Sequence, residues 1–455
     1  MAELPNLRVS DNKRFLETES GEPFFYLADT AWELFHRLDR EEAALYLDTR
    51  AAQGFTAIQA VALAECDGLN TPNSYGQRPL IDRDPARPAL KGAPPSPDYS
   101  YWDHVDWIID EANRRGLVMA LLPTWGRWVK NSPKTNNPKE IVFDERNAET
   151  YGAFIGARYR NKRIVWVLGG DRRFEGVEEV WRAMARGIER GASGGGEPAA
   201  ILMTLHPRGG DSSSTCFHDD DWLDFNMWQT GHSPINGRPP TWEKIARDYN
   251  RTPVKPVIDG EPLYEGIPIG FNRELYGHST DAHVRQRAYW HVFAGACGHT
   301  YGHHSVWQMH SEKWPPLTFP ILPWRQAIHC LGAQQMRHLK ALILSRPYFS
   351  RVPDQTLIAG ANPSDETHLQ ATRGDGYAFV YTPFGLPVAV RLGAISGGAV
   401  RAWWHNPRIG SAILIDTFDN RGTREFVPPS NGFGCDWTLV LDDASRDFPI
   451  PGAAE

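Results

Sequence analysis

Up to about residue 345, short uninterrupted apolar runs alternate with longer amphipathic stretches, and this grammar limits the folds open to the chain. Phe24-Phe-Tyr-Leu-Ala reads as a buried strand, with a helix over 39–53 behind it. Phe55-Thr-Ala-Ile-Gln-Ala-Val, Val118-Met-Ala-Leu-Leu and Ile164-Val-Trp-Val-Leu read as further strands, interleaved with helices over 102–115, 145–160 and 177–190. Gly116 follows the 102–115 helix as its C-cap signal. Ala200-Ile-Leu-Met-Thr, Phe225-Asn-Met-Trp, Pro256-Val-Ile-Asp and Gly298-His-Thr-Tyr continue the strand series, and helices near 243–249, 282–294 and 323–344 follow three of them. Strands apolar at successive positions are covered on both faces, which is the pattern of a parallel sheet wrapped by helices. About eight such units, with no Gly-rich dinucleotide turn after the first strand, favour a (β/α)8 TIM barrel over a doubly wound sheet.

Loop lengths carry a second message. Helix-to-strand links are short, as at Gln53-Gly54 and Arg115-Gly116, whereas the segments 62–100, 123–140, 205–222, 228–240, 260–279 and 303–323 follow strands and are long. In a barrel all the latter emerge at the C-terminal face, where the chemistry sits. After residue 345 the pattern changes to short strands: Thr356-Leu-Ile-Ala, His368-Leu-Gln-Ala-Thr, Tyr377-Ala-Phe-Val-Tyr, Val388-Ala-Val-Arg-Leu, Val400-Arg-Ala-Trp-Trp, Ala412-Ile-Leu-Ile and Trp437-Thr-Leu-Val-Leu. Turns such as Arg373-Gly-Asp-Gly separate them, and the expectation is a small antiparallel β-sandwich. The expected domains are a catalytic barrel over 1–345 and the sandwich over 346–455, packed rigidly, because no Gly/Ser- or Pro-rich tether lies between them.

Charge narrows the partners. With 48 Lys+Arg against 55 Asp+Glu, a net of −7 and no basic block, the chain lacks the footprint of a nucleic-acid binder. No apolar run approaches the ~20 residues of a membrane span. Five scattered cysteines without a C-x-x-C pair argue against a disulfide framework or zinc knuckle. Met1-Ala-Glu-Leu-Pro has neither the charged nor the apolar region of a signal peptide, which fits a cytoplasmic protein or a secreted or periplasmic one whose leader has been removed. Seventeen Trp, 15 Tyr and 20 Phe suit a protein that stacks on sugar rings, although Trp is also good core material.

Two carboxylates stand out. Ile164-Val-Trp-Val-Leu-Gly-Gly-Asp171 places an acid just past the fourth strand, after two glycines that let the backbone approach something closely. Val257-Ile-Asp-Gly-Glu261-Pro-Leu-Tyr264 places another past the seventh, across the barrel mouth. Opposed carboxyl groups are the equipment for cleaving a glycosidic bond, one protonating the leaving oxygen while the other attacks carbon or activates water. Candidate sugar contacts at other strand ends are Asp29 and Trp32, Trp125, His206, Trp228 with Gln229, Tyr264 and His304. Three further patterns carry less. Gly191-Ala-Ser-Gly-Gly195 matches an esterase elbow but follows a helix, on the inert end of the barrel. His299, His303, His304 and His310 lack zinc-site spacing, and Asp219-Asp-Asp221 lacks the alternation of a calcium loop. No metal and no cofactor are expected.

Phe24-Phe-Tyr-Leu-Ala-Asp-Thr-Ala-Trp-Glu-Leu-Phe, Trp166-Val-Leu-Gly-Gly-Asp171, Asp259-Gly-Glu-Pro-Leu-Tyr-Glu265 and Gly298-His-Thr-Tyr-Gly-His-His304 resemble glycoside hydrolase family 140, the DUF4038 proteins. That family includes apiosidases acting on the pectin rhamnogalacturonan II. The tail, with Phe426-Val-Pro-Pro-Ser and Asp436-Trp-Thr-Leu-Val-Leu, resembles the small β-domain, labelled collagen-binding, that accompanies it. The resemblance implies Asp171 and Glu261 as the catalytic pair and an oligo- or polysaccharide partner. Asp171 is expected as acid/base and Glu261 as nucleophile of a retaining reaction, with the reverse assignment open. Another furanosidase or exo-pyranosidase, or a non-catalytic glycan- or matrix-binding protein, remain the alternatives.

Overall fold

The structure is a computed structural model that describes residues 4–91, 98–131, 140–194, 196, 201–234 and 240–453. Its barrel strands are β1 Tyr26–Thr30, β2 Ala57–Val61, β3 Val118–Leu122, β4 Ile164–Gly169, β5 Leu202–His206, β6 Asn226–Gln229, β7 Val257–Asp259 and β8 Gly298–Tyr301. Six of them pair in the order β8-β1-β2-β3-β4-β5, and β6 pairs with β7, all in parallel. Hydrogen bonds link the two pieces: among them, Asp224 N–H donates to Met203 O at 2.9 Å on β5, and Cys297 N–H donates to Val257 O at 2.9 Å on β7. The sheet therefore curls into a (β/α)8 barrel. Burial at nearly every strand position explains why these runs are apolar without alternation.

Helices α1 Arg40–Ala52, α2 Tyr101–Arg114, α3 Glu145–Tyr159, α4 Glu178–Ser193, α5 Ser214–Phe217, α6 Thr241–Tyr249, α7 Asp281–Phe293 and α8 Leu331–Leu344 follow the strands in turn. Reciprocal side-chain and backbone caps at Asp39 with Glu42, Ser100 with Asp103, and Asp144 with Asn147 start α1, α2 and α3. After β5 only the single turn of α5 forms. The expected helix over 323–344 is broken: Trp324–Ala327 ends first, and α8 restarts after Cys330, whose backbone is extended at ψ 152°. Ala200 and Gly195 lie outside the described residues. Gly191 packs α4 onto α3, where an added Cβ would stand 2.2 Å from Ala153 O, so this part of the elbow-like run serves helix packing.

The C-terminal strands are β9 Val352–Pro353, β10 Gln370–Gly374, β11 Tyr377–Thr382, β12 Val388–Arg391, β13 Ala399–His405, β14 Ala412–Asp419, β15 Thr423–Phe426 and β16 Trp437–Asp443. They form an antiparallel sheet ordered β9-β10-β11-β16-β13-β14 and a facing pair, β12 with β15. Thr356-Leu-Ile-Ala, expected as a strand, instead begins in a 3-10 turn over Gln355–Leu357, because Asp354 caps it by accepting the Thr356 N–H at 3.0 Å. Alternation along β11 explains how the sheet is used twice. Ala378 and Val380 pack with Val388, Val390 and Phe426 of the facing pair, whereas Tyr377, Phe379 and Tyr381 join the barrel's core. Tyr381 stacks on Tyr289 of α7 at 4.8 Å, and the buried guanidinium of Arg285 grips Asp436 through two bonds of 2.6 and 2.8 Å. Among the described residues, no helix is long and apolar enough to cross a membrane.

Candidate active site

At the end of β4 the backbone makes a turn that only glycines allow. Gly169 and Gly170 have φ of 90° and 121°, and a Cβ on Gly169 would lie 2.2 Å from His206 O. One on Gly170 would strike Gly126 N at 2.7 Å and the Trp125 ring at 2.8 Å. The bare chain can therefore run flush against both neighbours, with Gly170 N–H donating to His206 O at 2.9 Å and Gly126 N–H to Gly170 O at 3.0 Å. Asp171 follows in the left-handed region at φ 48°, a conformation that costs on the order of 1 kcal/mol or more outside glycine. Its side chain is 41% exposed.

The end of β7 is built differently. Asp259 is fully buried and accepts from Thr230 Oγ1 at 2.5 Å, Thr230 N–H at 3.2 Å and Glu261 N–H at 3.2 Å, which fixes the turn that presents Glu261. The Glu261 carboxylate is buried between two imidazoles: His232 Nε2 hydrogen-bonds Oε1 at 3.0 Å, and His206 Nε2 lies 3.1 Å from Oε2. Burial pushes its proton affinity up, but the two histidines outweigh it and hold the pKa at about 2. Asp171 moves the opposite way. Partial loss of solvent in a cavity that still leaves 41% of the side chain exposed, and then the negative charge of Glu261, raise its pKa, against the opposing pull of Arg172 and His206.

Both carboxyls line one open cavity of about 270 Å³ at the C-terminal mouth of the barrel. Trp32 and Trp125, with centroids 5.1 Å apart, form one wall and pack on His206 behind it. Tyr264 and His232, 4.5 Å apart, form another, and Phe271 meets His232 edge-on. Trp307, Leu317 and Thr318 close the rim beside His304. Of the residues singled out by sequence, Trp32, Trp125, Asp171, Glu261, Tyr264 and His304 thus come together. Two other recesses, at the N-terminal end of the barrel and between α6 and the β-sandwich, are not lined by paired carboxylates.

Four expected contacts fall elsewhere. Asp29 is wholly buried, bound by Arg50 Nε at 2.6 Å and Tyr46 hydroxyl at 2.5 Å from α1, so it joins strand to helix and does not meet the cavity. Trp228 points toward α6, its ring covered by Arg247 at 4.5 Å. Gln229 lies against Gly209 and is not among the cavity's lining. His206 acts on Glu261 from beneath the cavity. His304 does line it, but its ring nitrogens are engaged: Nε2 contacts Thr318 O at 2.8 Å, and Nδ1 accepts from Trp307 Nε1 at 3.3 Å. Burial lowers its pKa to about 4, so the neutral ring ties down the rim and has no free nitrogen for a sugar hydroxyl. Glu65 and His232 were missed by sequence reasoning. Glu65 sits four residues past β2, in Val61-Ala-Leu-Ala-Glu65, the same apolar-run-then-acid grammar that marked Asp171. His232 sits three past β6. Among the described residues no group of three or more His, Cys, Asp or Glu could hold a metal ion.

Comparisons with known proteins give the family and the fold. The model of the apiosidase-like catalytic domain matches residues 10–350, and that described as "Putative collagen-binding domain of a collagenase" matches 352–442. A crystal structure of a glycoside hydrolase family 5 protein from Bacteroides vulgatus is 34% identical, with 98% of this chain and 94% of that one covered at TM-score 0.88. Another, described as "Glycoside hydrolase", is 36% identical, covers 98% of both chains and has TM-score 0.88. A family 39 glycoside hydrolase from Bacteroides cellulosilyticus, 11% identical over 91% of this chain and 80% of that one at TM-score 0.51, shares the fold. No curated protein matches the chain. With the family model spanning most of the chain and paired carboxylates at one barrel mouth, the protein belongs to the apiosidase-like family of glycoside hydrolases.

Proposed function

We propose that the protein is a retaining apiosidase that removes apiofuranosyl residues from a plant cell-wall glycan such as rhamnogalacturonan II. One observation carries the mechanism: two carboxyls in unlike surroundings, Glu261 clamped between two histidines and Asp171 on an open turn, face one cavity. Glu261, held ionised by His206 and His232, serves as the nucleophile that attacks the anomeric carbon. Asp171, whose pKa is raised by its recess and by Glu261, protonates the departing oxygen and then takes a proton from the water that releases the sugar. Trp32 and Trp125, each only 2% exposed, back the cavity as a rigid wall, and Tyr264 borders Glu261. A cavity of about 270 Å³ is at or below the small end of ligand pockets, which favours release of a terminal sugar over binding of a long chain. The choice of apiose rests on the family. Residues 1–345 would carry the chemistry and 346–455 would brace the barrel.

Rhamnogalacturonan II oligosaccharides and a panel of nitrophenyl glycosides test this together. Released apiose, first appearing as the anomer of the substrate's own configuration by NMR, is the expected result. Azide added to Glu261→Ala should yield a glycosyl azide of inverted configuration, and added to Asp171→Ala one of retained configuration. Inverted product from the wild type would overturn retention, and cleavage of a different sugar alone would overturn the apiose assignment.

A further inference from the structure

The cavity holds a third carboxyl that the two-carboxylate mechanism leaves without a task. Glu65 borders the same space as Asp171 and Glu261. Its main chain is fixed from several sides. Arg127 Nη1 donates to Glu65 O at 3.0 Å, Trp128 Nε1 to Ala64 O at 3.2 Å, and Cys66 N–H to buried Glu33 Oε1 at 2.9 Å. The carboxyl itself has no hydrogen bond and no ion pair among the described residues. The carboxyl is half-buried on a rigid stem, borders the cavity and is unpaired by the protein, so a ligand that fills the space can bond it.

We infer that Glu65 is a sugar-recognising residue whose carboxyl hydrogen-bonds a hydroxyl of the ring seated between Asp171 and Glu261. The inference rests on the glycosidase reading of that cavity and adds to it a specificity group. The charges around Glu65 favour its neutral form. Asp171 and Arg172 face it from the β4 end, Glu261 from the β7 end, and Glu33 from the β1 end, while the Arg127 guanidinium lies against its own main-chain carbonyl, so two cations stand against three acids. The adjacent Cys66 thiol is itself pushed up by burial and by Glu33 and Glu65, and adds no positive charge. Burial first, and then Asp171 and Glu33, raise the Glu65 pKa to about 8. A protonated carboxyl can both donate and accept, as a sugar hydroxyl does, whereas an ionised one would add a further negative charge beside Glu261.

Glu65→Gln and Glu65→Leu, each compared with wild type over pH 5–10, provide the test. The amide keeps a donor at every pH. Its kcat/KM should stay within about threefold of wild type below pH 7 and exceed it at pH 9, where wild-type Glu65 has ionised. The leucine variant should lose about ten- to a hundredfold, chiefly through KM, with thermal stability unchanged or raised. Independently of any substrate, protein labelled with 13C at glutamate Cδ should show one resonance titrating near pH 8 that disappears in Glu65→Gln. A Glu65 resonance titrating with ordinary carboxylates, or full kcat/KM in Glu65→Leu, would overturn the assignment. If wild type cleaves no apioside, the apiose reading fails alone. Glu65 is then judged by the labelled titration and by the same two variants on whichever nitrophenyl glycoside is cleaved.

Discussion

The ends of β4 and β7 solve the same problem, presenting a carboxyl to the cavity, by opposite means. At β7 the carboxylate is buried to 6% exposure, its turn is pinned by Asp259, and two histidines bracket its oxygens. At β4 the turn is made of bare backbone, the residue sits in a left-handed conformation, and the side chain looks out into the cavity. The nucleophile proposed at β7 must stay ionised and stay put, which dense hydrogen bonding provides. An acid/base must hold a proton, release it and regain it, which donors aimed at its ionised form would oppose.

Removing each carboxyl should break that contrast most strongly. Glu261→Ala is expected to lose at least about a thousandfold in kcat on every substrate. Asp171→Ala should lose on the order of a hundred- to ten-thousandfold on natural linkages, and far less on nitrophenyl glycosides, whose leaving group needs no proton. Steady-state kinetics on both substrate types would distinguish them, and equal losses would merge the two roles. Gly170→Ala comes next. Its Cβ meets backbone and an indole at under 3 Å, so urea unfolding should show a loss of about 1–3 kcal/mol, with Asp171 displaced and activity falling further.

His232→Ala should cost about ten- to a hundredfold in kcat/KM. Without that hydrogen bond the Glu261 pKa rises from about 2, so the acid limb of the pH profile should move to higher pH. An unmoved limb would mean that His206 alone holds Glu261 ionised. The smallest effect is expected from Arg172→Gln. Arg172 favours ionised Asp171, so its removal should raise the Asp171 pKa and extend the alkaline limb upward, with kcat/KM at pH 6 changed less than about threefold.

Much of this was legible in sequence. Runs such as Ile164-Val-Trp-Val-Leu announce buried parallel strands, so their ends, and hence Asp171 and Glu261, could be located. The same property hid other details. When both faces of a strand are apolar, the period-two pattern that separates inward from outward positions disappears. Asp29 and Trp228 were therefore assigned to the mouth, though they face α1 and α6. Glu65 and His232 were missed because they sit within long loops, at no fixed offset from their strands. In the sandwich, β15 was invisible because Phe426 is its one buried residue, leaving no apolar run to detect.

His206 has a further consequence. Its carbonyl receives the Gly170 N–H that sets the start of the Asp171 turn, while its ring leans on the Glu261 carboxylate. One residue thus works as a calliper with a jaw on each acid. Loops around the mouth can drift or lengthen and change which glycan is admitted, yet the spacing of the two acids is referenced to β5 and travels with it. On the proposed mechanism, a scaffold gauged from below in this way ties the geometry of the two acids to β5 and leaves the rim out of it.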